Sequence, residues 1–298
     1  KGEQSFSTND LDDFIVRKKD ATPTFMFANA VDDSLMEVDL VLRGDDHLSN
    51  TPRQIALLIA LNLSLPRYAH VSLFTGLDGA PLSKRNGSLS INDLREMGYL
   101  PKAVANYLSR VGHTIPDNDL KTLEDLALVF ETQNISSSPS KFDMDQLLFW
   151  QKKTVESLTV NECKEWLEKH LRDLPSDLNH EDFIELVKDN INFPEEAKNY
   201  LNKLFYQPLT AQTEVENIIK TAGKEFYLVA YKVIDSGFDN WIEATKLIGG
   251  ESGKKGKDLF MPLRVAITGQ TKGPELDKVV DFIGVNRVLE RVREASEL

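Results

Sequence analysis

Cysteine is all but missing from this chain, with one thiol, Cys163, among 298 residues. A lone thiol closes no internal disulfide and gives a structural metal no cluster of ligands, so a reducing, cytoplasmic setting is expected. Histidine is sparse as well. His47, His70, His113, His170 and His180 are scattered, no pair has helical metal-ligand spacing, and no protein-bound structural metal is expected. Long hydrophobic runs are lacking too: none approaches the roughly 20 apolar residues of a membrane span. No signal peptide opens the chain, and no membrane partner is expected. An initiator methionine is also missing, since the chain opens "KGEQSFS", as a piece of a longer protein would. Positive charge is in deficit, 35 basic against 47 acidic residues, for a net charge of -12. That balance argues against a generic nucleic-acid coat protein. It leaves room for a local basic surface, because attraction to phosphate acts over about 10 Å at moderate salt.

What is present is ordinary globular composition, 41% hydrophobic and 28% charged, in a chain long enough for two or three domains. "DDFIVRKKDAT" (12–22) reads as a short strand running into a turn, and "PTFMFANAV" (23–31) as a buried strand. "VDLVLRG" (38–44) is a further strand. It leads into a helix capped by Asn50 or Thr51, with Pro52 in its first turn and Asn62 as its stop. "YAHVSLF" (68–74) is the next strand, so strand, helix and strand predict a parallel βαβ unit, about one half of a doubly wound domain. From residue 88 the pattern is helical. Ser90 with Asp93 forms a capping pair and Gly98 a stop; Pro101 and Gly112 bracket the next helix. "SSSPS" (136–140) has linker composition, and amphipathic helices follow it. The fold class predicted is therefore α/β followed by all-α.

Ligands of parallel sheets sit beyond the C-terminal strand ends. "LRGDDHLSN" lies at such an end, before a helix N-terminus that favours an anion. Arg43 there has two readings, a bidentate partner for a substrate carboxylate or one half of a structural ion pair with Asp45. Asp46 and His47 add hydrogen-bonding groups. The next strand is followed by "APLSKRNGSLS" (80–90), two adjacent cations between small turn-forming residues. A lysine on such a loop can neutralise a triphosphate as it is attacked.

With these residues in hand, the chain resembles bacterial glutamyl-tRNA synthetases, class I aminoacyl-tRNA synthetases. The resemblance runs through "TPTFMFANAVDD", "VLRGDDHLSNTPRQI", "LSKRNG", "GYLPKAVANYLSRVG" and "GKDLFMPLRVAITGQTKGPEL". It implies a signature loop at Pro81, Leu82, Ser83, Lys84 and Arg85, with Lys84 catalytic on the ATP phosphates. Leu73, Phe74, Asp46, His47, Ser83 and Arg85 would be further ATP-binding residues. Phe25, Asn29 and Arg43 would line the glutamate pocket. In the helical half Asn190, Arg264, Pro274 and Leu276 would meet the tRNA anticodon, with Lys188 or Lys198 as the rival to Asn190. The chain departs from the family in three respects: Pro81 replaces the loop's first lysine, Phe25 replaces a pocket tyrosine, and the His-Ile-Gly-His motif is absent.

The resemblance divides the chain at 1–75 (end of the acceptor-binding insertion and second half of the nucleotide-binding domain), 76–150 (signature loop and stem-contact domain) and 151–298 (helical anticodon-binding region). It implies a glutamate–tRNA ligase using ATP with Mg²⁺ on the phosphates, this chain being inactive alone. Expected partners are glutamate and glutamate tRNA, extending to glutamine tRNA because Asn190 stands where discriminating relatives carry arginine. A monomer is expected. The alternative is a non-catalytic tRNA-binding module on the same fold. The basic stretches "QKKTV" and "GKKGKDLF" read as solvated faces, and Trp150, Trp166 and Trp241 as core.

Overall fold

The computed structural model describes residues 2, 4–7, 9, 11–80, 82, 90–176 and 178–298. The chain divides into two compact units, one of residues 1–94 and 101–150, the other of residues 95–100 and 151–298.

In the first unit, helix α1 (Phe25–Leu35) precedes strand β1 (Leu40–Gly44), a 3-10 turn (Asp45–Asn50), helix α2 (Thr51–Ala60) and strand β2 (Arg67–Val71). Pro52 opens α2, and Asn62, at φ 57°, follows its end. β1 and β2 pair in parallel, the predicted βαβ geometry. Segment 23–31, expected as a strand, is the start of α1. It lacks the β-branched run of a strand, and Thr24 takes the extended N-cap conformation; Ala30 and Ser34, four apart, bury one helical face. The expected strand at 12–22 shrinks to an isolated antiparallel bridge between Arg17 and Pro23 around a turn. The strand at 68–74 breaks after Val71, and β3 (Phe74–Thr75) pairs in parallel with β4 (Ser140–Lys141).

The "SSSPS" segment is therefore no linker. Ser136 N–H donates to Gly112 O at 2.7 Å, Ser72 Oγ donates to Ser137 O at 2.7 Å, and the segment ends in β4. Serine-rich composition signals a loop, and here the loop's polar groups are satisfied inside the unit. Helices α3 (Ile91–Glu96), α4 (Pro101–Leu108), α5 (Leu123–Val129) and α6 (Met144–Ser157) lie around it in sequence. Ser90 and Asp93 exchange capping hydrogen bonds at 2.7 and 3.1 Å, as the sequence predicts. Trp150 is buried, its ring 4.1 Å from the Arg110 guanidinium carbon.

The second unit is helical: α7 (Val160–Leu167), α8 (His180–Val187), α9 (Pro194–Phe205), α10 (Thr213–Ala222), α11 (Lys224–Asp235), α12 (Trp241–Ser252), α13 (Lys257–Thr268) and α14 (Leu276–Ser296), the last kinked at Gly284. One continuous core runs through it, including Phe183, Leu201, Tyr227, Leu263 and Val292. Trp241 is buried in that core and Trp166 packs against it. Arg291, 2% exposed, donates to the carbonyls of Lys203 and Gln207 at 3.1 and 3.0 Å and pairs with Glu294 at 3.0 Å. It thereby satisfies carbonyls that the helix ends leave over. Gln151, fully buried, donates to Gly98 O at 3.2 Å and Asn192 O at 2.8 Å and accepts from Leu100 N–H at 2.9 Å.

Candidate active site

Parallel pairing sets Arg43, at the C-terminal end of β1, opposite His70 on β2. Arg43 Nη2 donates to Thr51 Oγ1 at 2.8 Å and Nε to His70 Nε2 at 3.4 Å, while the guanidinium carbon lies 5.1 Å from the Tyr68 ring centre. Its Nη1 is buried and meets no acceptor among the described residues. Buried N–H groups are rarely left unpaired, so this nitrogen keeps a donor that a ligand group could meet.

Electrostatics agree with that geometry. Burial pulls the Arg43 guanidinium below its ordinary value, against the opposing influence of Tyr68, Asp33 and Asp46. Burial pushes the Asp33 carboxyl up while Arg43 draws it down. Burial and then the Arg43 charge depress His70. A histidine accepting at Nε2 must carry a lone pair there, and the depression keeps it neutral.

The turn after β1 brings the next residues to the same place. A Cβ on Gly44 would stand 2.4 Å from Asp46 Oδ1 and 2.9 Å from Leu73 Cδ2, so both side-chain ends approach the strand end closely and would have to move for a larger residue. His47 Nε2 lies 3.7 Å from Asp46 Oδ2, its Nδ1 is 3.1 Å from Asn50 Nδ2, and its ring centre is 5.4 Å from that of Phe25. Asn29, one turn beyond Phe25 on α1, accepts at Oδ1 from Gln54 Nε2 at 3.0 Å. Phe25, Asn29, Arg43, Asp46, His47 and Leu73 therefore converge on α1, the β1 end and the start of α2. Phe74 lies in β3, its carbonyl 3.4 Å from Leu82 N. Pro81, Ser83, Lys84 and Arg85 of the signature loop lie outside the described residues.

In the sequence Tyr68, Asp33 and Gln54 have no assigned role, Thr51 is only a helix cap and His70 only one of the scattered histidines. The register was available as a signal for one of them: two parallel strands joined by one helix put Arg43 and His70 at neighbouring C-terminal ends. A cavity of about 790 Å³ opens beside the cluster, lined in part by Thr51, Tyr68, His70, Leu42, Ile55 and Phe6.

In the second unit Asn190 is exposed at the end of a 3-10 turn (Lys188–Asn190), whereas the Lys188 ammonium donates to Leu158 O. Lys198 is half-buried. Arg264 Nη1 donates to Pro274 O at 2.9 Å, and the side chains of Pro274 and Leu276 are buried. Tyr200 belongs with them: its hydroxyl is buried without a partner among the described residues, burial raises its pKa, and Arg264 opposes the rise. At Gly273 (φ 142°) an added Cβ would come within 3.2 Å of the Tyr200 ring. Lys254, Lys255, Lys257 and Lys272 line a groove of about 940 Å³. Of the basic stretch expected as a solvated face, Lys254 turns inward, donating to Ala222 O at 2.6 Å with its ammonium 4.8 Å from the Phe226 ring centre.

Among the described residues no group of three or more His, Cys, Asp or Glu is placed to hold a metal, and no helix is long and apolar enough to cross a membrane.

The chain is similar to glutamate–tRNA ligase 1 of Halorhodospira halophila, 46% identical over 297 residues, and to glutamate–tRNA ligase 2 of Nitrosococcus oceani, 42% identical over 298. All of the chain is matched in both, but it spans only 62% and 63% of those curated relatives. Its fold is similar to that of the glutamate-tRNA synthetase from Elizabethkingia anophelis, with a TM-score of 0.80 at 23% identity over 97% of this chain and 63% of that one. A glutamate tRNA ligase from Elizabethkingia meningosepticum, solved in complex with its amino acid, gives 0.82 over the same shares. An anticodon binding domain model matches residues 158–296. The catalytic-domain model of the class I tRNA synthetases (E and Q) matches residues 1–149, half of the chain, and the chain belongs to that family.

Proposed function

We propose that the protein containing this chain is a glutamate–tRNA ligase. In its reaction the α-carboxylate of glutamate attacks the α-phosphorus of ATP, pyrophosphate leaves, and a terminal tRNA hydroxyl then displaces AMP from the adenylate. The work asked of the protein is positioning and charge stabilisation, without a covalent enzyme intermediate. Arg43 takes the substrate side-chain carboxylate, with Phe25 and Asn29 beside it. Asp46, His47, Leu73 and Phe74 border the ATP. Lys84, flanked by Pro81, Leu82, Ser83 and Arg85, meets the phosphates, whose Mg²⁺ arrives with the nucleotide.

On this reading residues 1–75 close the nucleotide-binding domain, 76–150 carry the signature loop and contact the tRNA stem, and 151–298 hold the anticodon, near Asn190, Arg264, Pro274 and Leu276. The protein is a cytoplasmic monomer. Asn190 is short and uncharged, and its amide both donates and accepts, so glutamine tRNA is accepted beside glutamate tRNA; Asn190→Arg narrows charging to the latter.

The observation that carries the proposal is the buried, unpaired Nη1 of Arg43 at a parallel-strand end. In the protein extended to the length of its relatives, Arg43→Leu should raise the KM for glutamate in pyrophosphate exchange by about a hundredfold, the scale of a lost charge-assisted hydrogen bond. A KM within twofold of the parent would contradict the assignment.

A further inference from the structure

Gln54 is 0% exposed, and its amide lies between the two helices α1 and α2. Its Nε2 donates to Met26 O at 3.5 Å and to Asn29 Oδ1 at 3.0 Å. Its own Oε1 is buried and finds no donor among the described residues. A buried carbonyl without a donor is unfavourable, so an apolar residue of similar size would suit the helix packing better. Packing does not account for this glutamine.

Its effect on Asn29 does. Met26 O is a main-chain carbonyl and only accepts, which turns the Nε2 end of Gln54 toward α1. An NH₂ group facing Asn29 can be met only by an oxygen, so Asn29 turns its Oδ1 to Gln54. The amide NH₂ is then the end of Asn29 left for a ligand. On α1, Asp33 follows Asn29 at i+4, and Asp33 interacts through space with Arg43, whose buried Nη1 is likewise an unused donor. Two unused donors suit a carboxylate. A carboxamide would bring an NH₂ group against them.

We propose that Gln54 is a positioning residue that fixes the Asn29 amide with its NH₂ toward the amino-acid pocket, and so helps the site prefer an acceptor-only side chain, glutamate, over glutamine. The proposal rests on the reading of Asn29 and Arg43 as the glutamate pocket. Gln54→Glu replaces the donor by an acceptor and should turn the Asn29 amide over, presenting Oδ1 to the substrate. Gln54→Leu removes the constraint without reversing it.

The test uses the full-length protein, pyrophosphate exchange with glutamate as substrate and glutamine as competitor, and Asn29→Ala as control. Expected for Gln54→Glu is a rise of about tenfold or more in the KM for glutamate. The KM for ATP should stay within twofold, and inhibition by glutamine should become stronger relative to glutamate binding. Gln54→Leu should give a smaller rise in the same sense. If Asn29→Ala raises the KM for glutamate and both Gln54 variants leave it within twofold, the positioning role is overturned while the pocket stands. If Asn29→Ala has no effect either, the pocket reading fails and the proposal with it. Should the variants not fold, side-chain amide NMR of the unmutated protein decides. The Gln54 NH₂ protons should be protected from exchange before ligand is added, and the Asn29 NH₂ resonances should shift on titration with glutamate. Asn29 resonances unmoved at saturation would overturn the proposal.

Discussion

Residues 11–80 and residues 160–296 bury their side chains very differently. In the first stretch the buried apolar side chains are Ala30 and Leu58, with Pro66, while Phe25, Leu42 and Ile59 stand 56%, 51% and 63% exposed. Its two parallel strands expose Leu40 and Leu42, although parallel sheets are normally covered on both faces. The second stretch closes one core over eight helices. Its fully buried Leu and Ile side chains contribute roughly 2 kcal/mol each before entropy is counted. Buried polar atoms without a partner among the described residues occur in both stretches, Tyr200 Oη, His170 Nδ1 and Gln270 Nε2 lying in the second. Arg291 has its carbonyls and its carboxylate, whereas Arg43 Nη1, Gln54 Oε1 and the Tyr68 hydroxyl have no partner among the described residues. The difference between the stretches therefore lies in apolar burial, dense in the helical one and sparse in the first.

Charging activity separates the two units most sharply. The 298-residue chain alone should give no measurable glutamylation of tRNA, because a site with unfilled donors and bare strands holds no nucleotide in line. Activity of the purified chain, free of longer protein, would break the comparison. Next in size is Arg291→Ala, which strips three carbonyls of a donor and takes the guanidinium from Glu294, leaving it the Leu209 N–H. A loss of about 4 kcal/mol is expected in the helical unit, readable by denaturant titration of Trp166 and Trp241 fluorescence. A loss below about 1 kcal/mol would mean that the core does not depend on this residue.

Lys84→Ala in the full-length protein should lose one transition-state contact, about 3 kcal/mol or a hundredfold in exchange rate, with little change in glutamate KM. A rate within threefold would leave the loop a plain basic turn. The smallest expected effect is on pH dependence. His70 is depressed below its ordinary 6.5, so between that value and its folded pKa the unfolded chain binds more protons. Stability supplied by neutral His70 is thus present above pH 6.5 and lost as the pH falls. Asp33, raised, acts oppositely at lower pH, above the ordinary carboxyl value. Unfolding of the first unit should become easier between pH 7 and 6, and His70→Gln should flatten that slope; an unchanged slope would remove His70 from the account.

Legibility in the sequence followed the same physical line. The βαβ unit, the helical second half and the Ser90–Asp93 cap rest on local periodicity and capping, and the structure has them. Arg43, Asp46 and His47 could be read together because they are contiguous at one strand end. Tyr68 and His70 come to Arg43 only through pairing of β1 with β2, Thr51 through the 3-10 turn that leads into α2, and Gln54 reaches Asn29 only through packing of α1 on α2, which composition does not reveal. The α1 segment was misread because aromatic content outweighed its alanines and the extended Thr24 before them. "SSSPS" was misread because turn residues mark any exposed loop, whether or not a unit ends there.

Amide hydrogen exchange of the intact 298-residue chain tests the contrast most directly. Protection in α11, α13 and α14 should approach the global unfolding limit, while amides of α1, β1, α2 and β2 should open at least about a hundredfold more readily, the difference expected where few apolar contacts hold the backbone. Equal protection across both stretches would contradict the account.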